Sequence, residues 1–258
     1  MLELYHGEPN GLFLKPLIAL EEKQVAFTSR YFDPSSFVQH GAEFAQNLES
    51  RLQLEREGPL LVHDGEVISS SFFMLEYIAE AFPGPDLKPG GALEHYKAHA
   101  LGQVLALGVG VCVSALGCAK YLVPRLKSQD PLTLKANIDR IEPLERRNSW
   151  LALIDGSGNE TVFRERLRPA IKRIEETLAH STWLTGPAYS IADIDAFSML
   201  APVPDLAPEI VNDRATPAIA GFLQRMRARP AVKAALARSR TGKPHEAFVP
   251  STEPSRWG

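Results

Sequence analysis

The chain has 258 residues, of which 45% are hydrophobic and 23% are charged, and its formal net charge at pH 7 is −3. This length suits one large domain or two small ones, and the weak net charge gives no electrostatic reason to expect nucleic acid or a membrane as a partner. Two cysteines, Cys112 and Cys118, cannot form a disulfide framework, and we expect them to act as small buried hydrophobic residues. The first residues do not resemble a secretory signal, so we expect a cytoplasmic protein.

The first third of the sequence alternates between strand-like and helix-like apolar runs, separated by turn signals. Pro59 to Val62 and Glu66 to Ile68 flank the turn His63-Asp64-Gly65, a pattern typical of a β-hairpin. In chain order we predict a strand at Leu2 to Tyr5, a helix at Leu12 to Gln24, a strand at Val25 to Tyr31, helical or irregular structure at Phe37 to Arg56, the two hairpin strands, and a helix at Phe72 to Phe82. The predicted order is β-α-β-α-β-β-α, which is an α+β domain.

After a Pro/Gly-rich linker the chain has helical periodicity, most clearly from Glu160 to His180. Ser190 followed by Asp193 is typical of a capping pair that opens an apolar core helix. After Arg240 the sequence is rich in proline and lacks periodicity, so we expect a tail that lies over the surface or is disordered. The predicted domains are residues 1–83, a linker at 84–91, an all-helical domain at 92–240 and an irregular tail at 241–258.

One segment, Ala100 to Ala119, lacks any charged side chain and is long enough to span a bilayer. It contains Gln103, Ser114 and four glycines, and charged helical sequence flanks it on both sides. We expect a buried helix whose small residues allow a neighbouring helix to approach closely, rather than a membrane span. The same small residues could line a pocket or a subunit interface.

The whole layout resembles that of the soluble glutathione transferases. The resemblance is strongest in three segments: Leu14–Phe27, Gly58–Pro83 and Ser181–Phe197. Within this superfamily, Tyr31–His40 and the N-terminal turn are similar to the bacterial β-etherases, which use glutathione to cleave the β-aryl ether bonds of lignin-derived aromatics. The resemblance implies a thioredoxin-like N-terminal domain that binds glutathione, and an all-α C-terminal domain that forms an apolar wall for an aromatic substrate.

The resemblance also assigns roles to individual residues of a glutathione site. Pro59 matches the family's cis-proline, and Gly58 stands where the family usually has valine. Ser70 and Ser71 match the acidic-or-amide and serine pair that grips the γ-glutamyl end of glutathione. Ser70 therefore lacks the expected acid, whereas Ser71 can still act at a helix N-terminus, with simple helix capping as the alternative for both. The predicted contacts are Gly58, Pro59, Ser70 and Ser71, in a vestigial site.

The position that would hold the glutathione thiol carries no polar side chain. Leu12 and Phe13 stand where the β-etherases have an Asn-Ser pair, and neither can donate a hydrogen bond to a thiolate. Asn10 is the nearby polar candidate, and its residue type and position favour a turn. The loop Gln46–Pro59 is longer than the family's short loop and lacks its Asn-Pro pair. We therefore predict no catalytic residue in this chain.

Other residues that could carry chemistry have simpler explanations. Glu94, His95 and His99 have a spacing that can bind zinc, but no further ligand is apparent, so we predict a solvated helix face and no metal. Tyr121 and Trp150 fall where a substrate wall would lie, although core packing is the simpler role for aromatic residues there.

Three functions are compatible with the resemblance: a non-catalytic subunit, an enzyme in its own right that holds the thiolate by a backbone N–H, or a module that binds aromatics without glutathione. Losing one hydrogen bond to the thiolate costs about 1.5–3 kcal/mol, which slows an enzyme without abolishing it. The thiol donor, the partner of the ligand's ammonium and the short loop are all lost together. Their combined loss should weaken binding so far that millimolar glutathione no longer fills the site. We therefore favour a subunit that stabilises a catalytic transferase-type partner, in a heterodimer or, alternatively, a homodimer. In that complex glutathione is the co-substrate and an aromatic ether the substrate.

Overall fold

The computed structural model describes residues 1–40, 58–88, 90–156 and 159–250. Its N-terminal part contains a four-stranded sheet in the order β2-β1-β3-β4. The strands are β1 (Leu2–His6), β2 (Thr28–Tyr31), β3 (Leu60–His63) and β4 (Glu66–Ile68). All four strands lie where the sequence predicts them, and the predicted hairpin is confirmed by the antiparallel pairing of β3 with β4.

The strand register places one end of each of the four strands at the same edge of the sheet. β1 and β2 are parallel, with His6 opposite Tyr31, so both strands end at this edge. β3 is antiparallel to β1, with Leu60 opposite Tyr5, so β3 begins there. β4 then ends there, since Ile68 lies opposite Leu61. The predicted site residues all follow or precede these ends.

Two helices of the N-terminal domain start from the same edge. Helix α1 (Gly11–Lys23) follows β1, and α2 (Ser71–Ala81) follows β4. The helical or irregular segment predicted at Phe37 to Arg56 follows a 3₁₀ turn at Pro34–Ser36 and contains a second one at Val38–His40, and its remainder lies outside the described residues. The α+β, thioredoxin-like character of this domain is confirmed.

The C-terminal part is helical, as predicted. Its helices are α3 (Ala92–Lys127), α4 (Pro131–Asp139), α5 (Leu144–Asp155), α6 (Glu160–His180), α7 (Ile191–Leu200), α8 (Val203–Leu206), α9 (Pro217–Ala228) and α10 (Pro230–Leu236). The Ser190 side chain accepts from Ala192 N, and Asp193 accepts from Ser190 N, so the predicted capping box opens α7. Asp193 also accepts from Leu184 N, which ties the preceding loop to the helix.

Helix α3 contains the charge-free segment and is the one helix of the described residues that is long and apolar enough to cross a membrane by length and composition. Leu105, Val109, Cys112 and Leu116 on its inner side are buried in the core of the protein. Close packing at its glycines fits the predicted role of small residues, since a Cβ on Gly108 would lie 2.9 Å from the Cβ of Ala170. Two π-helical stretches, Leu105–Gly110 and Cys118–Leu122, interrupt its α-helical pattern.

The two domains are joined by ion pairs between α1 and the C-terminal helices. Lys15 contacts Asp195 of α7 at 2.6 Å, and both side chains are buried. At the other end of α1, Glu22 pairs with Arg229 at 2.6 Å, and Glu21 pairs with Arg238 at 2.6 Å. These contacts hold α1, and hence the edge of the sheet from which it starts, against the helical domain.

Candidate functional site

The start of α1 presents backbone donors at the edge of the sheet. Asn10 is the N-cap residue, but its side chain makes no capping hydrogen bond, and Gly11 has a φ of +50°. Within the described residues, the N–H groups of Gly11 and Leu12 donate to no acceptor, as expected in the first turn of a helix. An anion placed here would meet these N–H groups and the positive end of the helix dipole.

The side chains beside these donors are apolar. Leu12 is half-buried, and Phe13 is buried with its ring edge-to-face against Phe32, the ring centroids 5.8 Å apart. Phe13 also lies against Gly7, where a Cβ would approach its ring to 3.1 Å. Phe13 is therefore a packing residue, and the first turn of α1 offers an anion backbone N–H groups alone.

Gly58 and Pro59 lie buried at the start of β3, beside the end of β1. The prediction of a cis bond at Pro59 is wrong, because the cis peptide bond among the described residues joins Glu142 to Pro143. A trans X–Pro bond is the lower-energy form unless neighbouring groups favour the cis form. Gly58 has no side chain to pack against a neighbour, and the space beside its Cα is open. The backbone segment predicted to contact glutathione is therefore present, but its peptide bond at Pro59 is trans and residue 58 has no side chain.

Ser70 and Ser71 lie at the N-terminus of α2, at the same edge of the sheet. Ser70 has φ 67° and ψ 112°, a backbone conformation that costs a non-glycine residue energy and that clusters at functional sites. Its side chain makes no capping hydrogen bond, so the alternative role of side-chain capping is wrong for Ser70, whose carbonyl instead accepts from Met74 N. Ser71 is buried beside it at the first position of the helix. Both serines lie at the helix N-terminus, and their contact with glutathione stays a prediction.

A buried carboxylate beside this edge anchors the C-terminal part of the chain. Glu8 is 4% exposed and accepts hydrogen bonds from the backbone N–H groups of Arg240 and Thr241 and from the Ser239 hydroxyl. Burial alone would raise the pKa of Glu8, but these hydrogen bonds, together with one from Tyr31, outweigh it and lower the pKa. Burial and the contact with Glu8 raise the pKa of Tyr31.

Residues 239–250, which we call the C-terminal strap, cross from α1 to α3. The Asn10 side chain donates to the Ala247 carbonyl at 2.8 Å, and the Ser114 hydroxyl donates to the Val249 carbonyl at 2.6 Å. Between these two carbonyls, Phe248 is buried at 9% exposure. The tail is irregular as predicted, apart from a 3₁₀ turn at Pro244–Glu246, and residues 241–247 are exposed or half-buried, which agrees with the predicted tail over the surface. Specific side chains of both domains hold it in place.

The comparisons with known proteins agree with this architecture. A family model of the glutathione S-transferase C-terminal domain matches residues 155–239. The protein LigF from Sphingobium sp. strain SYK-6 is 29% identical over 240 residues, which cover 90% of this chain and 91% of LigF. The crystal structure of LigF, a β-etherase, matches with a TM-score of 0.84 at 27% identity, over 92% of this chain and 99% of LigF. The chain therefore has the fold of the glutathione transferases, and its sequence is similar to that of LigF over nearly its whole length.

The chain is also similar to two further proteins. A probable maleylacetoacetate isomerase from Vibrio cholerae is 26% identical over 182 residues, which cover 69% of each chain. A glutathione transferase homologue from Sulfitobacter, solved with bound glutathione, matches with a TM-score of 0.66 at 18% identity, over 92% of this chain and 98% of that chain. The second likeness concerns the fold alone, whereas LigF is similar in both sequence and structure.

The structure also places the other residues that the sequence analysis singled out. His99 contacts Glu76 at 3.2 Å, and His95 lines the same water-sized space between α2 and α3. Within the described ranges no group of three or more potential metal ligands comes together. Trp150 is fully buried and packs on Phe37, with ring centroids 4.9 Å apart. Trp150 is therefore a core residue.

Tyr121 and the two cysteines have different surroundings. Tyr121 donates to Asp205 at 2.5 Å and lies parallel to the ring of Phe248, so it borders the strap. Cys112 and Cys118 are free and buried, as predicted, and burial raises the pKa of the Cys112 thiol. Neither thiol is suited to act as a nucleophile.

The sequence analysis found the edge of the sheet but missed the strap. Asn10 appeared only as a turn residue and Glu8 was not singled out, because their partners lie more than two hundred positions away along the chain. Two weak signals were present: an acid, Glu8, in the turn after the first strand, and the apolar pair Phe248-Val249 in a polar tail. Neither signal identifies its partner without the fold.

Proposed function

We propose that this chain is a glutathione transferase-like subunit of a glutathione-dependent enzyme that cleaves β-aryl ether bonds of lignin-derived aromatics, and that it stabilises a catalytic partner without doing the chemistry itself. The resemblance to the β-etherase LigF over nearly the whole chain supports the reaction class. We place the complex in the cytoplasm, with glutathione as co-substrate.

The first turn of α1 is the observation that carries the non-catalytic role. A transferase must hold the glutathione thiolate beside this turn, and a side-chain donor is the usual means of lowering a thiol pKa. Here the side chains are those of Leu12 and Phe13, and Phe13 is packed against Phe32. Asn10, the nearest polar side chain, already donates to the strap.

One observation favours the alternative, an active β-etherase in its own right. The N–H groups of Gly11 and Leu12 are free within the described residues and can donate to a thiolate. In that case the Ser71 hydroxyl would grip the γ-glutamyl carboxylate, and the chain alone would turn over substrate.

An apolar face on α2 and α3 supports a subunit partner. Phe73, Leu93, Tyr96 and Leu107 are 43%, 59%, 68% and 41% exposed. Leu93, Tyr96 and Leu107 share α3, and Phe73 lies on α2, which α3 contacts through Phe72 at Gly102. Large apolar side chains exposed on neighbouring helices are typical of a protein interface. We propose that a second transferase-type subunit, a different chain or a second copy, covers this face.

The first experiment is a calorimetric titration of glutathione into the purified chain, followed by an assay of β-aryl ether cleavage by the chain alone. We expect no saturable binding at millimolar glutathione and no turnover. Saturable binding with turnover that falls several-fold in Ser71→Ala would overturn the non-catalytic role and support the active enzyme.

A second experiment tests the partner. Sedimentation of the chain, alone and with a co-expressed catalytic transferase subunit, measures assembly. We expect Leu107→Asp to weaken assembly and Leu132→Asp to leave it unchanged, because Leu132 is equally apolar and 78% exposed but lies on α4, away from the proposed face. Equal effects of the two substitutions would remove the support for this face.

A further inference from the structure

A tyrosine and a histidine form a hydrogen-bonded pair at the edge of the sheet opposite to the candidate functional site. His63 ends β3 and lies opposite Leu2, whereas the site edge is at the other end of these strands, where Leu60 begins β3. Tyr77 lies on α2, about 9 Å further along the helix axis than Ser71. The Tyr77 hydroxyl oxygen and Nδ1 of His63 are 2.6 Å apart. This pair therefore belongs to a separate part of the protein surface.

The surroundings of His63 favour the tautomer in which Nδ1 accepts the hydrogen bond from Tyr77. One carboxylate oxygen of Asp64 lies 3.7 Å from Nε2 of His63, and a negative charge on that side favours a proton on Nε2. Nδ1 then presents its lone pair, and the Tyr77 hydroxyl donates to it. The other carboxylate oxygen of Asp64 pairs with the amino group of Met1. A nucleophile, a base and an acid that orients the base therefore follow one another, as in an activated nucleophile.

This cluster is open to solvent on one side and has an apolar wall on the other. The ring centroid of Phe82 lies 5.1 Å from that of His63 and 6.2 Å from that of Tyr77. All three rings are half-buried, so a small reagent can approach them from solvent. Asp64 and Glu66, which is opposite His63 in the hairpin, place negative charge beside the imidazole and favour its taking up a proton.

We propose that Tyr77 is a nucleophile that activated acyl esters modify, with His63 as its general base. The Tyr77 oxygen attacks the carbonyl carbon of an ester that carries a good leaving group, and a new C–O bond forms. The bond between that carbon and the leaving group breaks, and the leaving group departs with the bonding electron pair. The proton of Tyr77 passes to Nδ1 of His63 and then to solvent. The product is an acyl ester of Tyr77, and its formation does not involve the residues of the candidate glutathione site.

The test is acetylation of the full chain by 4-nitrophenyl acetate at neutral pH, followed over time by tandem mass spectrometry of the tyrosine peptides. The internal reference is Tyr96, which is 68% exposed and whose hydroxyl has no hydrogen bond within the described ranges. A positioned general base accelerates a reaction by about 10²–10⁴. We expect Tyr77 to be acetylated at least about tenfold faster than Tyr96, although Tyr96 is the more exposed residue.

Two variants identify the base and the nucleophile. His63→Gln keeps a hydrogen-bonding side chain but removes the base, so it should slow acetylation of Tyr77 by about tenfold or more and leave Tyr96 unaffected. Tyr77→Phe keeps the ring and should abolish the fast release of 4-nitrophenol. Glu80→Gln, which removes an exposed carboxylate from the same helix, is the matched control and should leave the acetylation rate of Tyr77 unchanged.

Thermal unfolding verifies that each variant is folded, and the comparison of Tyr77 with Tyr96 in the unaltered chain needs no substitution. Acetylation of Tyr77 that is no faster than that of Tyr96 overturns the proposal. Equal acetylation rates of Tyr77 in His63→Gln and in the unaltered chain also overturn it, since the imidazole then does not act as the base. Fast release of 4-nitrophenol that persists in Tyr77→Phe overturns it as well, because another group then accepts the acetyl.

Discussion

Lys15 of α1 and Asp195 of α7 form an ion pair across the domain boundary at 2.6 Å, with side chains that are only 8% and 6% exposed. Removing one partner of a buried pair leaves an uncompensated charge and costs about 3–5 kcal/mol. We expect Lys15→Met to lower the free energy of unfolding by that amount, measured by urea denaturation.

The matched control is Lys135→Met, which breaks an ion pair with Asp139 of similar length on the exposed face of α4. Exposed pairs contribute about 0–1 kcal/mol, so this variant should unfold almost like the unaltered chain. Replacing both Lys15 and Asp195 by apolar residues should recover much of the loss. Equal losses from the two lysine substitutions would show that the domain boundary does not depend on this pair.

Glu8 should make the stability of the strap depend on pH. Its pKa is lowered in the fold from a reference value of 4.5, so its contribution is complete above that pH and is lost as the pH falls through the lower folded value. We expect Glu8→Gln to cost about 1–3 kcal/mol at neutral pH, because an amide cannot accept from all of the donors around it.

Urea denaturation of the unaltered chain and of Glu8→Gln at a series of pH values measures the difference in their free energy of unfolding. This difference should shrink under acid conditions. Glu176→Gln, an exposed change on α6, is the control and should leave the free energy of unfolding nearly unchanged. A difference for Glu8→Gln that stays constant through the acid range would contradict the assignment of these hydrogen bonds to the carboxylate form.

Replacing Gly117 and replacing Gly221 by alanine should change the stability of the protein in different ways. Both lie in helices, where alanine is favoured by roughly 1 kcal/mol. A Cβ on Gly221 meets only the flexible end of Arg225 at 3.4 Å, so Gly221→Ala should stabilise the protein. Gly117→Ala should not, because its Cβ would overlap the ring of Phe248.

Urea denaturation again gives the measurement, and Phe248→Ala supplies the cross-check. In the Phe248→Ala chain the overlap is gone, so Gly117→Ala should become stabilising, as at Gly221. Stabilisation by Gly117→Ala in the unaltered chain would mean that Phe248 does not rest on this part of α3.

Asp193 and Asp130 both cap helices, but with different surroundings. Asp193 is fully buried and accepts from Leu184 N and Ser190 N, whereas Asp130 is exposed and accepts from Thr133. Loss of an exposed cap costs about 1 kcal/mol. Asp193→Ala leaves two buried donors without an acceptor, so we expect it to cost about 2–4 kcal/mol in urea denaturation. Losses of similar size in the two variants would argue against a structural role for the Leu184 contact.

The elements that the sequence predicts correctly are those with local signals. The turn His63-Asp64-Gly65 fixes the hairpin, and the Ser190–Asp193 pair fixes the start of α7, within a few residues of chain. Ser70 and Ser71 can also be placed at the edge of the sheet from the predicted strands, once the order of those strands in the sheet is known. The strap could not be found in this way, because its contacts depend on where α3 and α1 lie in space. The prediction of a cis peptide bond at Pro59 was wrong for a related reason, because the isomer of that bond depends on neighbouring groups in space and not on the proline itself.

The hydrogen bonds of Glu8 join residues that are separated by 231 to 233 positions in the chain. During synthesis the N-terminal sheet and α1 emerge well before Ser239, Arg240 and Thr241. Until those residues emerge, Glu8 lacks the three donors that they supply. Because domains generally fold as units from the N-terminus, the strap docks on an N-terminal sheet that has already formed. A nascent chain of this protein therefore passes through a stage in which the carboxylate of Glu8 is open to water.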